Sequence, residues 1–278
     1  MRIALIQIAS PAAEPSVERR ARAAEMVTTA ARGGAGLVVL PELWAAGYFA
    51  FDAYEAEAEP ADGPTVTGLG ALARDLGIYL HTGSYVERMP DGGLRNTAVL
   101  LGPEGDVLHR YSKVHIFGYQ SQEARLLRPG DRISAARTPF GTMASTTCYD
   151  LRFPELWRAL VDLGAGIVTV PAAWPAARLA HWRLFTSARA VEEQVLLIAC
   201  NAVGEQDGVR LGGHSRVVDP WGEILAEADE NEGITYCDVD PEIVPQVRKE
   251  FPVLGDRLAS YAALHGESDT DSPTVTRS

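Results

Sequence analysis

Short apolar runs alternate with amphipathic stretches from one end of the chain to the other, and this alternation limits the fold more than any other feature of the sequence. The apolar runs have the length of buried strands, and none approaches the roughly 18 residues that a helix needs to span a bilayer. The amphipathic stretches have the spacing of helices with one buried face. The sequence therefore predicts an α/β protein in which helices cover sheet layers.

The predicted elements follow one another without a long gap. Predicted strands cover residues 2–8, 35–40, 78–86, 96–101, 107–111, 143–147, 166–170, 195–201, 215–219, 224–228 and 233–239. Predicted helices cover residues 16–32, 65–76, 154–163, 178–193 and 241–250. The turn at residues 89–93, MPDGG, is typical of a hairpin, so we expect the strands on either side of it to pair antiparallel.

Length and composition indicate one globular domain. The chain has 278 residues, of which 46% are apolar, and a chain of this length buries a core large enough to need no disulfides. No internal linker interrupts the pattern, so we predict a single domain over residues 1–265. Residues 266–278 have no apolar periodicity, and their composition predicts a disordered tail.

Charge and cysteine content exclude several classes of protein. The chain has 25 basic and 37 acidic residues and a net charge of −12, which repels nucleic acid and anionic membrane surfaces. Its three cysteines are widely spaced without a C-x-x-C pair, which excludes a disulfide framework or a zinc knuckle and favours the reducing cytoplasm. Residues 1–9 are too short and too polar for a signal peptide, and they are better interpreted as the first strand.

Most motifs of known chemistry are absent from the sequence. It has no G-x-S-x-G, no H-E-x-x-H, no Gly-Lys pair of a phosphate-binding loop and no cluster of histidines and cysteines. Residues 68–73 match a loose dinucleotide-binding pattern, but they lie within a predicted helix and do not follow a strand. The six histidines share no ligand spacing. We therefore expect neither a metal nor a cofactor.

Three chemically competent side chains follow predicted strands. They are Glu42, Lys113 and Cys148. Each has an ordinary alternative, because a glutamate at a strand end is usually solvated, a loop lysine is usually on the surface and a lone cysteine is usually core. Together they supply what amide cleavage by a thiol needs, namely a carboxylate that takes the thiol proton and a cation that stabilises the oxyanion. A Cys–His arrangement would have to draw on six scattered histidines.

In four ordered segments the sequence resembles the nitrilase, or carbon–nitrogen hydrolase, superfamily, and the resemblance extends from residue 2 to about residue 258. The segments are residues 40–44 (LPELW), 111–117 (YSKVHIF), 148–156 (CYDLRFPEL) and 213–223 (GHSRVVDPWGE). The resemblance implies a four-layer α-β-β-α sandwich.

The resemblance also implies roles for individual residues. Cys148 would be the nucleophile, Glu42 the general base and then acid, and Lys113 with the backbone N–H of Tyr149 would be the oxyanion donors. A second glutamate is implied after the lysine loop, and Glu123 matches it by its place before the Pro-Gly pair at residues 129–130.

The substrate class is indicated by the surroundings of the cysteine. Residues 148–155 are similar to amidase branches that act on small amidated acids, and they lack the Cys-Trp-Glu of true nitrilases. Residues 171–178 (PAAWPAAR) are similar to bacterial ω-amidases, which deamidate 2-oxoglutaramate and 2-oxosuccinamate. We therefore predict a hydrolase that releases ammonia from a small carboxylate-bearing amide through a cysteine thioester. The alternatives are an N-carbamoyl-acid or deaminated-glutathione amidohydrolase, and an inactive binding scaffold of the same fold.

A substrate with a free carboxylate needs a cation or hydrogen-bond donors in the pocket. Arg152 and Arg178 are the candidates, although Arg152 has an alternative partner in Glu155. Aromatic residues beside the motifs would form the pocket walls or belong to the core. These residues are Tyr48, Phe117, Tyr119 and Trp174.

The resemblance further implies a homodimer or a higher homo-oligomer. Similar enzymes associate through the helices that follow the nucleophile and through C-terminal segments. Trp157, Leu160 and Trp182 would offer an apolar helix surface for this contact, unless they face the core of their own subunit.

Overall fold

The structure is a computed structural model that describes residues 1–119 and 121–258, so the predicted tail at 266–278 and the last predicted domain residues lie outside the described part. The strands are β1 (Arg2–Gln7), β2 (Leu37–Val39), β3 (Tyr79–Arg88), β4 (Leu94–Leu101), β5 (Val107–Ser112), β6 (Ala136–Thr138), β7 (Gly141–Ser145), β8 (Ile167–Ala172), β9 (Leu196–Asn201), β10 (Glu205–Gln206), β11 (Val209–Arg210), β12 (Arg216–Val218), β13 (Ile224–Glu227) and β14 (Gly233–Asp238). The α-helices are α1 (Ser16–Arg32), α2 (Tyr54–Glu57), α3 (Pro64–Leu76), α4 (Glu123–Leu126), α5 (Pro154–Asp162), α6 (Leu179–Glu193) and α7 (Ile243–Glu250).

Two six-stranded sheets form the centre of the molecule. The first has the order β14-β1-β2-β3-β4-β5, and the second has the order β13-β12-β9-β8-β7-β6. In each sheet three strands run parallel, β1 to β3 in the first and β7 to β9 in the second, and antiparallel strands flank them. The hairpin predicted at residues 89–93 joins β3 to β4.

The alternation of side chains along β1 shows why the molecule has four layers. Ile3 and Leu5 pack in the core between the two sheets, whereas Ala4 and Ile6 pack in the core beneath α1 and α3. On the outer face of the second sheet, α5 and α6 cover a third apolar cluster. The result is the expected α-β-β-α sandwich.

The apolar side chains predicted to form an oligomer surface lie elsewhere. Trp157, Leu160 and Trp182 are each 0% exposed and belong to the core between α5, α6 and the second sheet. Their apolar spacing reflects packing within the subunit, so the prediction that they form an outer surface is wrong.

The parallel strands of the two sheets end in the same region of the molecule. The backbone N–H of Glu42, just after β2, donates to the carbonyl of Ala172 at the end of β8, with a distance of 3.4 Å. Loops after strands from both sheets therefore reach a common region. Among the described residues, no helix has the length and apolar character needed to cross a membrane.

Candidate active site

Glu42, Lys113 and Cys148 meet at this junction of strand ends. They follow β2, β5 and β7, respectively. Lys113 Nζ lies 2.9 Å from Glu42 Oε1, and both side chains are fully buried. Cys148 is only 7% exposed, and the negative charge of the Glu42 carboxylate is near enough to raise the pKa of its thiol. The structure thus brings together the three residues that the sequence indicated separately.

Glu123, the first residue of α4, completes an ion cluster around the lysine. Its two carboxylate oxygens lie 2.8 and 3.0 Å from Lys113 Nζ. The hydroxyl of Tyr48 and the backbone N–H of Phe117 both donate to Glu123 Oε2, at 3.0 and 2.9 Å. Glu123 therefore orients the ammonium and also fixes two segments that carry pocket residues.

The Glu42 carboxylate has further donors that hold it in place. Asn96 Nδ2 donates to Oε1 at 2.8 Å, and the backbone N–H of Ala173 donates to Oε2 at 2.9 Å. Asn96 is a site residue that the sequence analysis missed. The available signal was an amide side chain that precedes the apolar run of β4, where Asn96 is fully buried.

Burial and charge set the protonation of the cluster. Burial raises the pKa of Glu42, although the Lys113 charge opposes this shift. Burial and the negative charge of Glu42 raise the pKa of the Cys148 thiol well above its usual range. Burial alone would lower the pKa of Lys113, but Glu123 and Glu42 outweigh it, so this pKa is raised and the amine stays charged. The arrangement places a protonated thiol near a carboxylate with a raised pKa, which suits general base catalysis.

The backbone at Cys148 is strained. Its φ is +46°, in the left-handed region that residues with a Cβ rarely adopt, and the 3₁₀ turn Cys148–Arg152 begins at this residue. Strained residues often occur at active sites, where the surrounding structure compensates for their cost.

A pocket that is partly open to solvent lies over the cysteine. Its walls are Tyr48, Phe49, Phe117, Cys148, Tyr149, Arg152, Ala173, Trp174, Pro175 and Arg178. The structure therefore places five of the six candidate pocket residues, together with Tyr149, around the cysteine. Tyr119, in contrast, is 67% exposed and does not line this pocket.

The two arginines of the pocket contact aromatic rings. Arg152 Cζ lies 4.8 Å from the ring centroid of Trp174, and its Nη2 lies 3.3 Å from Nδ1 of His181. Arg178 Cζ lies 5.6 Å from the ring centroid of Phe117. Burial lowers the pKa of Arg152, and the Arg178 charge adds to this effect.

Neither pocket arginine has a carboxylate at ion-pair distance within the described part of the chain. The salt bridge from Arg152 to Glu155, considered from the sequence, is not formed. Within residues 1–119 and 121–258, no group of three His, Cys, Asp or Glu side chains is arranged to hold a metal ion. The pocket thus combines a thiol, a buried ion cluster and two guanidinium groups.

Comparison with known proteins identifies the family and the fold. The family model described as carbon-nitrogen hydrolase matches residues 2–249. A 2-oxoglutaramate amidase of Paenarthrobacter nicotinovorans is 36% identical over 96% of this chain and 92% of its own length. The human ω-amidase NIT2 is 33% identical over 95% of this chain and 97% of its own. The crystal structure of Saccharomyces cerevisiae Nit3, a nitrilase superfamily member, superposes with a TM-score of 0.83 at 31% identity, covering 91% of this chain and 94% of that one.

Proposed function

This chain belongs to the carbon–nitrogen hydrolase family and is an amide-hydrolysing enzyme, and we propose that it acts as an ω-amidase on small dicarboxylic monoamides. The observation that carries the proposal is the pair Arg152 and Arg178, which share a pocket with Cys148 and have no carboxylate partner among the described residues. A substrate whose far end is a carboxylate would supply that partner through charge-assisted hydrogen bonds. The names of the similar amidases support the same substrate class.

In the first half-reaction, Glu42 takes the thiol proton of Cys148 and the sulfur attacks the amide carbon. A C–S bond forms, and the carbonyl electron pair moves to the oxygen. The Lys113 ammonium and the Tyr149 N–H donate to this oxyanion. When the carbonyl re-forms, the C–N bond breaks, the nitrogen takes the proton from Glu42 and leaves as ammonia, and a thioester remains.

In the second half-reaction, water hydrolyses the thioester. Glu42 removes a proton from the attacking water, and a second tetrahedral oxyanion forms at the same donors. The C–S bond then breaks, the acid departs, and the sulfur recovers its proton from Glu42. Lys113 stays charged throughout, because Glu42 and Glu123 hold its pKa above the usual range. Glu123 orients the ammonium through both carboxylate oxygens.

The proposal is tested by ammonia release from a panel of amides. We expect 2-oxoglutaramate and 2-oxosuccinamate to be the best substrates, succinamate to be slower, and the unanchored propionamide to be far slower, because anchoring holds the amide carbon near the sulfur. Preference for neutral amides, nitriles or N-carbamoyl acids would reject the ω-amidase assignment and leave the Cys–Glu–Lys chemistry intact. No ammonia from any amide would favour an inactive scaffold.

Substitution of the pocket arginines tests the anchoring directly. Arg152→Ala and Arg178→Ala should each lower kcat/KM for the carboxylate-bearing amides by about 10- to 100-fold, the effect of losing a hydrogen bond to a charged group. Activity on propionamide should hardly change. Arg32→Ala, an exposed position at the end of α1, is the matched control. Equal losses on charged and neutral amides would show that these arginines act on folding rather than on the substrate carboxylate.

We also propose a cytoplasmic homo-oligomer. All three cysteines of the chain are free and buried, which supports a reducing compartment. Trp221 and Phe251 are exposed and stack on one another, with ring centroids 6.0 Å apart, which supports a contact between subunits.

A further inference from the structure

Asp150 is a fully buried carboxylate that accepts four hydrogen bonds close to the cysteine. Oδ2 accepts from the Tyr111 hydroxyl at 2.6 Å and from the backbone N–H of Thr147 at 3.0 Å. Oδ1 accepts from the backbone N–H of His115 at 2.9 Å and lies 2.8 Å from Nδ1 of the same histidine. The mechanism described above does not use this carboxylate.

The donors to Asp150 come from two segments that are far apart in sequence. Tyr111 and His115 each lie two residues from Lys113, one on either side of it. Thr147 immediately precedes Cys148. One buried carboxylate therefore fastens the lysine segment, residues 111–115, to the turn that presents the nucleophile.

Asp150 also closes the strained turn. Its backbone N–H donates to the carbonyl of Thr147 at 3.0 Å, while its side chain accepts from the Thr147 N–H. Cys148, whose φ is +46°, and Tyr149 lie in sequence between Thr147 and Asp150, the two residues that these bonds join. The turn is thus held at its two ends by a single residue, which offsets the cost of the left-handed conformation.

We propose that Asp150 is a positioning residue, which sets the separation between the Lys113 ammonium and the Tyr149 N–H and so preorganises the oxyanion site. The inference rests on the proposed function, in which one oxyanion donor comes from each of the two segments that Asp150 joins. Its carboxylate bonds to neither Lys113 nor Cys148, so it acts through the neighbouring residues Tyr111, His115 and Thr147. Preorganised donors are effective because they do not have to reorganise when the oxyanion forms.

The kinetic test compares Asp150→Asn with the milder Tyr111→Phe. Asp150→Asn replaces one carboxylate oxygen by an NH₂ group, which faces the hydrogen-bond donors that this oxygen accepted from. Tyr111→Phe removes only the hydroxyl that donates to Asp150. For an amide that the wild type hydrolyses, kcat should fall about 100-fold in Asp150→Asn, as displaced reacting groups can cause. It should fall about tenfold in Tyr111→Phe, as loss of one hydrogen bond can cause. KM should change little. Tyr85→Phe removes a buried hydroxyl bonded to Arg110 and is the control expected to keep full activity.

A transition-state mimic separates positioning from a merely structural role. The aldehyde 4-oxobutanoate, which corresponds to succinamate, can add the Cys148 sulfur to give a tetrahedral adduct with its oxygen in the oxyanion site. Its inhibition constant should rise by the same factor by which kcat/KM falls, while inhibition by the product succinate should not change. A variant with a merely structural defect would contain fewer active molecules, and the inhibition constant of 4-oxobutanoate for those molecules would not change. An unchanged inhibition constant in both variants would therefore overturn the inference.

Hydrogen exchange tests the link without any substrate. In Asp150→Asn, amides in residues 111–117 and residues 147–150 should both exchange faster than in the wild type. Faster exchange in only one of these segments, or in neither, would overturn the inference whatever the substrate. If the wild type released no ammonia from any amide, the proposed function would fail, and the exchange experiment would still decide whether Asp150 joins the two segments.

Discussion

Cys148 differs from the other cysteines in its surroundings. Cys200 lies between the sheets, where its thiol faces the carbonyls of Ile6 and Val39 and burial raises its pKa to about 12. Cys237 is buried on β14. Only Cys148 of the three lies beside a carboxylate in a pocket.

We expect iodoacetamide to inactivate the enzyme with the label on Cys148, because a thiol must be both reachable and near a base to be alkylated readily. Cys148→Ala should abolish ammonia release. Cys237→Ser is the matched control and should retain activity. Labelled peptides identified by mass spectrometry would check the site, and full activity in Cys148→Ala would remove this residue as the nucleophile.

Lys113 and Lys249 are the only lysines in the chain, so one provides a natural control for the other. Lys113→Ala should lower kcat by about 100- to 1,000-fold, the usual effect of losing a principal oxyanion donor. Lys249→Ala, at an exposed position in α7, should leave kcat unchanged. A loss under about tenfold in Lys113→Ala, with an unchanged circular dichroism spectrum, would contradict its role as that donor.

The pH dependence of kcat/KM should report Glu42. In the proposed mechanism its carboxylate accepts the thiol proton, so activity should rise as the pH increases through its pKa. Because burial raises that pKa, the midpoint of the acid limb should lie above the ordinary glutamate value of 4.5. Asn96→Ala removes a donor to the carboxylate and should move the midpoint further up. A midpoint at or below the ordinary value would contradict Glu42 as the base.

Sequence reasoning found the residues at strand ends and missed those within strands. Glu42, Lys113 and Cys148 stood out because a reactive side chain after an apolar run has few structural reasons to be there. Asn96 lies inside β4, and only the pairing of β4 with its neighbours decides that it faces the Glu42 carboxylate. The contacts of Asp150 depend in the same way on segments brought together by the fold.

Helices with clear terminal signals were predicted to within a residue or two. Helix α1 begins after Pro15 and ends at a Gly-Gly pair, and its observed bounds equal the predicted ones. Five short elements were missed, because two to four residues carry no readable period. They are β6, β10, β11, α2 and α4.

Glu193 is the last residue of α6, and its side chain is fully buried. We expect it to make the stability of the protein decrease as the pH rises. Its partner is Arg158, whose Nε lies 3.2 Å away and whose side chain is 41% exposed. Burial raises the pKa of Glu193 to about 7. The folded protein therefore binds more protons than the unfolded chain between pH 4.5 and 7, and the free energy of unfolding falls as the pH rises through this window.

Glu193→Gln should remove this dependence, since glutamine stays neutral. The variant should be the more stable protein at pH 8, by at most about 3 kcal/mol, and should match the wild type near pH 4.5. Denaturant unfolding at both pH values measures the difference. Glu192→Gln, a neighbour with a 45% exposed side chain, is the control. If the free energy of unfolding depended on pH in the same way in the wild type and in Glu193→Gln, the raised pKa of Glu193 would be contradicted.

At the scale of the whole molecule, periodicity predicted sheets covered by helices, and the family resemblance predicted their four-layer order. Pairing between distant strands could not be read from periodicity. Strand β14 lies antiparallel beside β1, with Arg2 opposite Asp238, and no local pattern encodes a contact across such a separation. The burial of Trp157 and Trp182 likewise depends on which face of each helix the second sheet covers.

Self-association is therefore expected through a different surface from the one that the sequence indicated. Trp221 and Phe251 are 47% and 53% exposed, and Gly222, next to Trp221 in its turn, lies close to Val191 on α6. Light scattering at micromolar concentration should give at least twice the 29.9 kDa chain mass.

Trp221→Glu should dissociate the assembly, because it adds charge to a chain whose net charge of −12 already opposes contact between copies. Val17→Glu, at a 69% exposed site on the opposite outer layer, should not. A 29.9 kDa wild-type particle would refute self-association, and an intact Trp221→Glu assembly would place the interface elsewhere.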